Sequence, residues 1–223
     1  MTRLRADGTL PTPKERGRAR AILNRLVGRY PAIRTALDYE TPWQLLVVTV
    51  LSAQTTDENV NRVAPVLFSR FPTPHDLAGA SIDEVEGIVF STGFYRQKSA
   101  AVVSLAADLV ERFGGVVPDD LDRLVTLKGV GRKTASVVLA EAFGLPAVAV
   151  DTHVKRVTGR LGLTVNPDPV KIESDLKALF PEKAWSGLSM RLIQFGRDVC
   201  DARRPRCGEC ELAPLCPWPG KRV

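Results

Sequence analysis

The chain has 223 residues, 44% of them hydrophobic and 25% charged, with a formal net charge of +6. That length suffices for one large domain or two small ones with a proper core. No apolar run is long enough to cross a bilayer; the longest, Leu45 to Leu51, is interrupted by Thr49. The basic excess is concentrated at the start. Residues 1–29 carry Arg3, Arg5, Lys14, Arg16, Arg18, Arg20, Arg25 and Arg29 against Asp7 and Glu15 alone. A polyanion such as nucleic acid fits this balance, bound elsewhere through local clusters because the remainder is near neutral. Arg3 and Arg5 have no apolar stretch behind them and do not read as a secretory signal. The expected setting is a bacterial or other intracellular compartment.

Residues 1–13 are expected to form a mobile basic arm, since Gly8, Pro11 and Pro13 interrupt any regular element. Lys14 to Tyr30 then carries an apolar face at helical spacing: Ala19, Ile22, Leu23, Leu26 and Val27. Thr41-Pro42 is a cap followed by proline at the first helical position, opening an apolar helix to Leu51. A third helix runs from about Asp57 to Phe71, and Thr73-Pro74 repeats the cap-plus-proline start. Ser81-Ile82-Asp83-Glu84 has capping-box spacing. Gln97 to Phe113 is a long helix stopped by Gly114-Gly115.

Lys133 to Phe143, rich in small apolar residues, reads as a buried central helix. Asp151 to Leu161, Asp168-Pro169 to Phe180 and Ala184 to Cys200 complete a set of roughly ten. Ala147 to Val150 is strand-like but too short to found a sheet. The fold class is all-α, with no internal repeat or low-complexity segment.

Chemistry concentrates in Leu127-Lys128-Gly129-Val130-Gly131-Arg132-Lys133-Thr134, with Asp151 eighteen positions beyond Lys133. A corner with two glycines lets backbone N–H groups approach an anion, and the following helix adds the positive end of its dipole. A nucleotide-binding P-loop is excluded, because Arg132 separates Gly131 from Lys133 and no buried strand precedes the corner. A plain helix–turn–helix joint is the bland alternative. Lys133 lies in the first helical turn, where the dipole and Arg132 favour an uncharged, nucleophilic amine; the competing reading is a phosphate-contacting surface lysine. Asp151 fits a helix N-cap, a role that also fixes its carboxylate in direction.

All four cysteines fall within Cys200-x6-Cys207-x2-Cys210-x5-Cys216. Two disulfides and a zinc site are open alternatives, but a single Cys-x-x-Cys pair, with Pro217 directly after the last cysteine, suits a [4Fe–4S] cluster better. The loop inside the ring presents Arg203, Arg204 and Arg206, either a solvated face or a clamp on a nucleic-acid backbone.

Together the Leu127–Ala135 corner, Val150-Asp151-Thr152-His153-Val154, the 6-2-5 cysteine spacing and Leu51-Ser52-Ala53-Gln54-Thr55-Thr56-Asp57 resemble the endonuclease III family. These are DNA glycosylases with β-lyase activity in the helix-hairpin-helix superfamily. The resemblance runs from about Arg18 to Cys216 and implies two helical lobes flanking a DNA-binding cleft. One is a six-helix barrel over 39–146 with the helix-hairpin-helix at about 121–143. The other joins 14–38 to 147–223 and carries the cluster loop. It further implies Lys133 as nucleophile, Asp151 as its acidic partner and the four cysteines as ligands of [4Fe–4S].

Contacts to DNA are expected from Lys128, Gly129, Val130, Gly131, Arg132, His153 and the three loop arginines, with Gln54 and Phe94 filling the space of an extruded base. For Gln54 the alternative is a helix-end surface amide, and for His153 a local helix-start role. Two positions depart from the family pattern: Lys128 stands where proline is usual, adding charge but loosening the corner, and Phe94 where leucine is frequent. The implied activity is removal of oxidised pyrimidines from double-stranded DNA by a monomer, without membrane association, in the bacterial cytoplasm at the nucleoid. The competing readings are a monofunctional glycosylase, whose members usually lack a lysine at position 133, and a DNA-binding module without catalysis, against which Lys133 with Asp151 argues.

Overall fold

The computed structural model describes residues 3–221. Met1 and Thr2 of the expected arm, and Arg222 and Val223 of the expected C-terminal lobe, lie outside the described residues. Among the described residues there are eleven α-helices, short 3-10 turns and no strand. No helix among them is long and apolar enough to cross a membrane. The chain divides into two compact units, Thr35–Gly144 and Met1–Arg34 with Leu145–Val223. The divisions fall four and two residues before the expected 38/39 and 146/147.

The Thr35–Gly144 unit contains α2 (Pro42–Leu51), α3 (Asp57–Arg70), α4 (Pro74–Ala78), α5 (Ile82–Val89), α6 (Tyr95–Phe113), α7 (Leu121–Leu124) and α8 (Arg132–Ala142). Thr41 and Thr73 cap as expected, each hydroxyl accepting a backbone N–H three residues on, with proline in the first turn. Ser81 stands at the N-cap of α5 but makes no side-chain cap bond, so the capping box read from its spacing does not form. Helix α2 is apolar on nearly every face because it is enclosed; it packs on α6 and α8, whose Leu105, Leu109 and Ala135–Leu139 are buried.

The other unit is built on α1 (Pro13–Arg29), α9 (Thr152–Arg160), α10 (Pro169–Leu179) and α11 (Trp185–Asp198). Ile22 and Leu26 meet Val154, Val157, Leu176, Leu192 and Phe195 in one apolar core. The strand-like Ala147–Val150 is a buried extended segment of this core, and the Ala149 N–H donates to Ser189 Oγ instead of a ladder partner. The arm expected to be mobile is tied down along residues 3–12. The Ala6 N–H donates to Asp175 Oδ1 (3.0 Å), Arg5 pairs with Glu15, and Arg3 reaches Glu182 while lying over the Trp185 ring.

Candidate functional site

The glycine corner joins α7 to α8. Leu124, Leu127 and Val130 point inward and are buried, leaving Lys128, Gly129, Gly131, Arg132 and Lys133 exposed around them. Gly129 has φ of +77°, a backbone state that strongly favours glycine. Gly131 is the N-cap of α8 in extended conformation, and nothing lies within 4 Å of where its Cβ would stand. The helix therefore starts with no capping side chain and an open approach, and Lys133 is its second residue. A helix start of this form suits an anion.

The expectation that Lys128 loosens the corner is answered by a bond that proline could not make. The Lys128 N–H donates to Asp108 Oδ2 (3.0 Å) on α6. Arg112, one turn further along α6, pairs with Asp108 and donates to both the carbonyl and the hydroxyl of Thr126. The segment leading into the corner is thus fastened to the longest helix at two points.

Gln54 and Phe94 have φ of +55° and +48°, the non-glycine residues with positive φ among those described. Both are exposed, Phe94 at 57%. Strained backbone of this kind persists only where the surroundings enforce it and is concentrated at functional positions.

In the other unit, Asp151 caps α9, its Oδ1 accepting the Val154 N–H at 2.7 Å. His153 is half-buried. Burial chiefly pulls its pKa below the ordinary value, while Asp151 pulls the other way. Its Nδ1 lies 3.2 Å from Arg156 Nη2, and a guanidinium only donates, so Nδ1 accepts and the neutral ring carries its proton on Nε2. His153 is thereby engaged with Arg156, within the same helix.

Cys200, Cys207, Cys210 and Cys216 line one cavity together with Leu161, Phe195, Val199, Pro205, Ala213 and Trp218. None is in a disulfide. Burial is the main cause that raises the Cys210 thiol pKa, and Cys200 and Cys207 add to it. Among the described residues no three His, Cys, Asp or Glu side chains are gathered tightly enough for a single metal ion. The four thiols share this cavity with Arg160, Arg206 and Lys221, three basic residues beside the apolar ones.

Two residues that sequence reasoning passed over organise this loop. Arg160 donates to the carbonyls of Cys200, Asp201 and Ala202, lies 3.3 Å from Cys200 Sγ and stacks on Trp218 at 4.2 Å. Arg156 donates to the carbonyls of Cys200 and Gly196. Their i, i+4 spacing and the tryptophan after the last cysteine were the available signals. Asp201 Oδ1 accepts the N–H groups of Arg203 and Arg204, bonds that hold its carboxyl below the usual range. The Arg203 and Arg204 side chains are exposed, whereas Arg206 makes a surface pair with Glu209 at 4.0 Å.

An all-helical chain with an uncapped helix start behind a glycine corner and a four-cysteine loop defines a class, and comparison with known proteins agrees. Residues 47–182 match the profile of the HhH-GPD superfamily base excision DNA repair protein. The chain is 52% identical to endonuclease III of Synechocystis sp. over 90% of its length and 92% of that protein. It is 44% identical to endonuclease III of Bacillus subtilis, over 87% and 89%. A solved structure of a trapped endonuclease III–DNA covalent intermediate superposes with a TM-score of 0.86 and 41% identity, covering 91% of this chain and 95% of that one. The chain belongs to the endonuclease III family of this superfamily. It is an enzyme of base excision repair, a DNA glycosylase and abasic-site lyase.

Proposed function

We propose that the enzyme acts on double-stranded DNA at oxidised pyrimidines and abasic sites, with Lys133 as nucleophile and Asp151 as its acidic assistant. The observation that carries this reading is the amine in the exposed first turn of α8, beside a corner open to a phosphate. The Lys133 amine attacks C1′, the bond from C1′ to the base breaks, and the base leaves as an anion that takes up a proton. Opening of the sugar ring leaves a Schiff base. Loss of a C2′ proton then expels the 3′ phosphate. The Asp151 carboxylate, held in direction by the Val154 N–H, stabilises positive charge at C1′ and relays protons.

The damaged base must leave the stack before C1′ is reachable, and Gln54 and Phe94 fill the space it vacates. Lys128, Gly129, Val130, Gly131 and Arg132 hold the backbone from the corner. His153 and the arginines 203, 204 and 206 do so from the other unit. The four cysteines hold a [4Fe–4S] cluster, which keeps the arginine loop rigid. Four free thiols lining one cavity, with the Arg160 guanidinium beside Cys200, suit its ligand set and negative charge. The related protein solved as a covalent intermediate with DNA supports the nucleophilic route. The enzyme works as a monomer in the bacterial cytoplasm, at the nucleoid.

Borohydride trapping on an abasic duplex tests the assignment. The wild-type chain becomes covalently attached and Lys133→Ala does not. Undiminished trapping or strand scission by Lys133→Ala refutes it.

A further inference from the structure

The strain at Gln54 and Phe94 raises the question of what maintains it. One carboxamide bridges their two loops. Asn59, in the first turn of α3, donates from Nδ2 to Ser91 O at 2.7 Å and to Thr55 Oγ1 at 3.2 Å. Its Oδ1 accepts from Arg62 Nη2 at 2.7 Å and from Ser91 Oγ at 3.2 Å. The orientation of the amide is dictated by its partners, since the Ser91 carbonyl only accepts and the Arg62 guanidinium only donates. Thr55 follows Gln54 directly, and Ser91 lies three residues before Phe94.

The Phe94 turn is also fixed from beneath. Lys98 is 5% exposed, and its ammonium donates to Thr92 O at 2.7 Å while its own N–H donates to Phe94 O. The Thr92 hydroxyl, buried as well, donates to Val89 O at 2.8 Å. One turn is thus anchored below by Lys98 and sideways by Asn59, and Asn59 reaches the other loop with the same group.

We propose that Asn59 is a positioning residue for base extrusion: its carboxamide sets the span between Gln54 and Phe94, so that both side chains are presented to the duplex before binding. This rests on the reading of Gln54 and Phe94 as the pair that fills the vacated space. Preorganisation of this kind lowers the ordering cost of forming the opened complex. Asn59 touches neither the sugar nor the base, so its effect depends on Gln54 and Phe94 being present. It acts on removal of a paired base more than on scission at a site where no base remains to be extruded.

Asn59→Asp keeps the size and the Oδ1 acceptor but loses both Nδ2 donations, and an acidic residue in the first turn of α3 suits the helix dipole. Loss of these bonds is expected to slow single-turnover excision of a paired oxidised pyrimidine by about five- to tenfold. Scission of a preformed abasic site in the same duplex should stay within about twofold of wild type, with unchanged thermal unfolding. Combined with Gln54→Ala and Phe94→Ala together, Asn59→Asp should add no further loss. Thr55→Val, which removes one end of the bridge at nearly constant volume, supplies a second variant if the first unfolds early.

Normal excision by Phe94→Ala would overturn the reading of that side chain. Impaired Phe94→Ala beside normal Asn59→Asp and Thr55→Val would overturn the bridge alone. Equal loss on both substrates, or a further loss from Asn59→Asp when Gln54 and Phe94 are both alanine, would mark Asn59 as a general stabilising contact and would also overturn it.

Discussion

Asp151→Asn separates the structural and chemical roles of one carboxylate. In the structure Asp151 Oδ1 accepts the Val154 N–H at 2.7 Å and starts a helix of nine residues. Asparagine keeps that oxygen in place, and the two residues cap helices about equally well. What is lost is a negative charge at the positive end of the dipole, about 0.3–1 kcal/mol at a partly exposed site. For a chain of this length that corresponds to a drop of at most about 4 °C in Tm. Helix α9 should remain intact, and with it Arg156 and Arg160, whose bonds to the cysteine loop depend on their register along it.

The rate should respond on a different scale. A positioned acid or base contributes about 10²–10⁴-fold, so single-turnover scission of an abasic duplex should fall by at least about a hundredfold. Rate is measured with enzyme in excess, and folding by calorimetry and circular dichroism. Asp151→Ala, by contrast, should lose a further ~1 kcal/mol of stability through the missing cap. A rate near wild type in Asp151→Asn would show that the carboxylate serves α9 alone and would refute its catalytic role.

Gly162 has φ of +59°, and a Cβ there would stand 2.8 Å from Pro217 Cγ, directly after Cys216. Gly162→Ala should therefore destabilise by about 1–3 kcal/mol, read as an earlier thermal transition, and an unchanged Tm would contradict the packing described. Glu15 accepts the Thr12 N–H and hydroxyl in the capping box of α1, bonds that draw its pKa from the ordinary 4.5 to about 2. Its contribution to stability is complete above pH 4.5 and is lost as pH falls from 4.5 towards 2. Glu15→Gln should flatten that part of the stability–pH curve, and parallel curves would deny the linkage. Binding to undamaged duplex should weaken steeply with salt. The log–log slope should become shallower by about one for each of Arg203→Ala and Arg204→Ala, whereas an unchanged slope would remove those side chains from the footprint.

Local features were legible where partners lie within four residues. Thr41-Pro42, Thr73-Pro74 and Asp168-Pro169 all open helices, because a cap is satisfied by its own first turn. Ser81 marks the limit of that grammar: it occupies the cap position, yet its side chain makes no cap bond. Lys128 looked like a loosened corner because the acceptor of its N–H, Asp108, stands twenty residues earlier. The loop-bracing role of Arg160 was illegible for the same reason, since the carbonyls it gathers lie forty or more residues away.

By itself the amino-acid order determined the helical class, the glycine corner with Lys133 behind it, the capping aspartate and the gathering of four thiols near the C-terminus. Each is a matter of short spacing, where backbone geometry allows few outcomes. Only the tertiary structure decided that Gln54 and Phe94 adopt positive φ, that the basic arm lies against Asp175, Glu15 and Glu182, and that the cysteines line one cavity. Those outcomes depend on hydrogen bonds and packing between distant segments. Such contacts form only once the chain has closed on itself, so no local pattern records them.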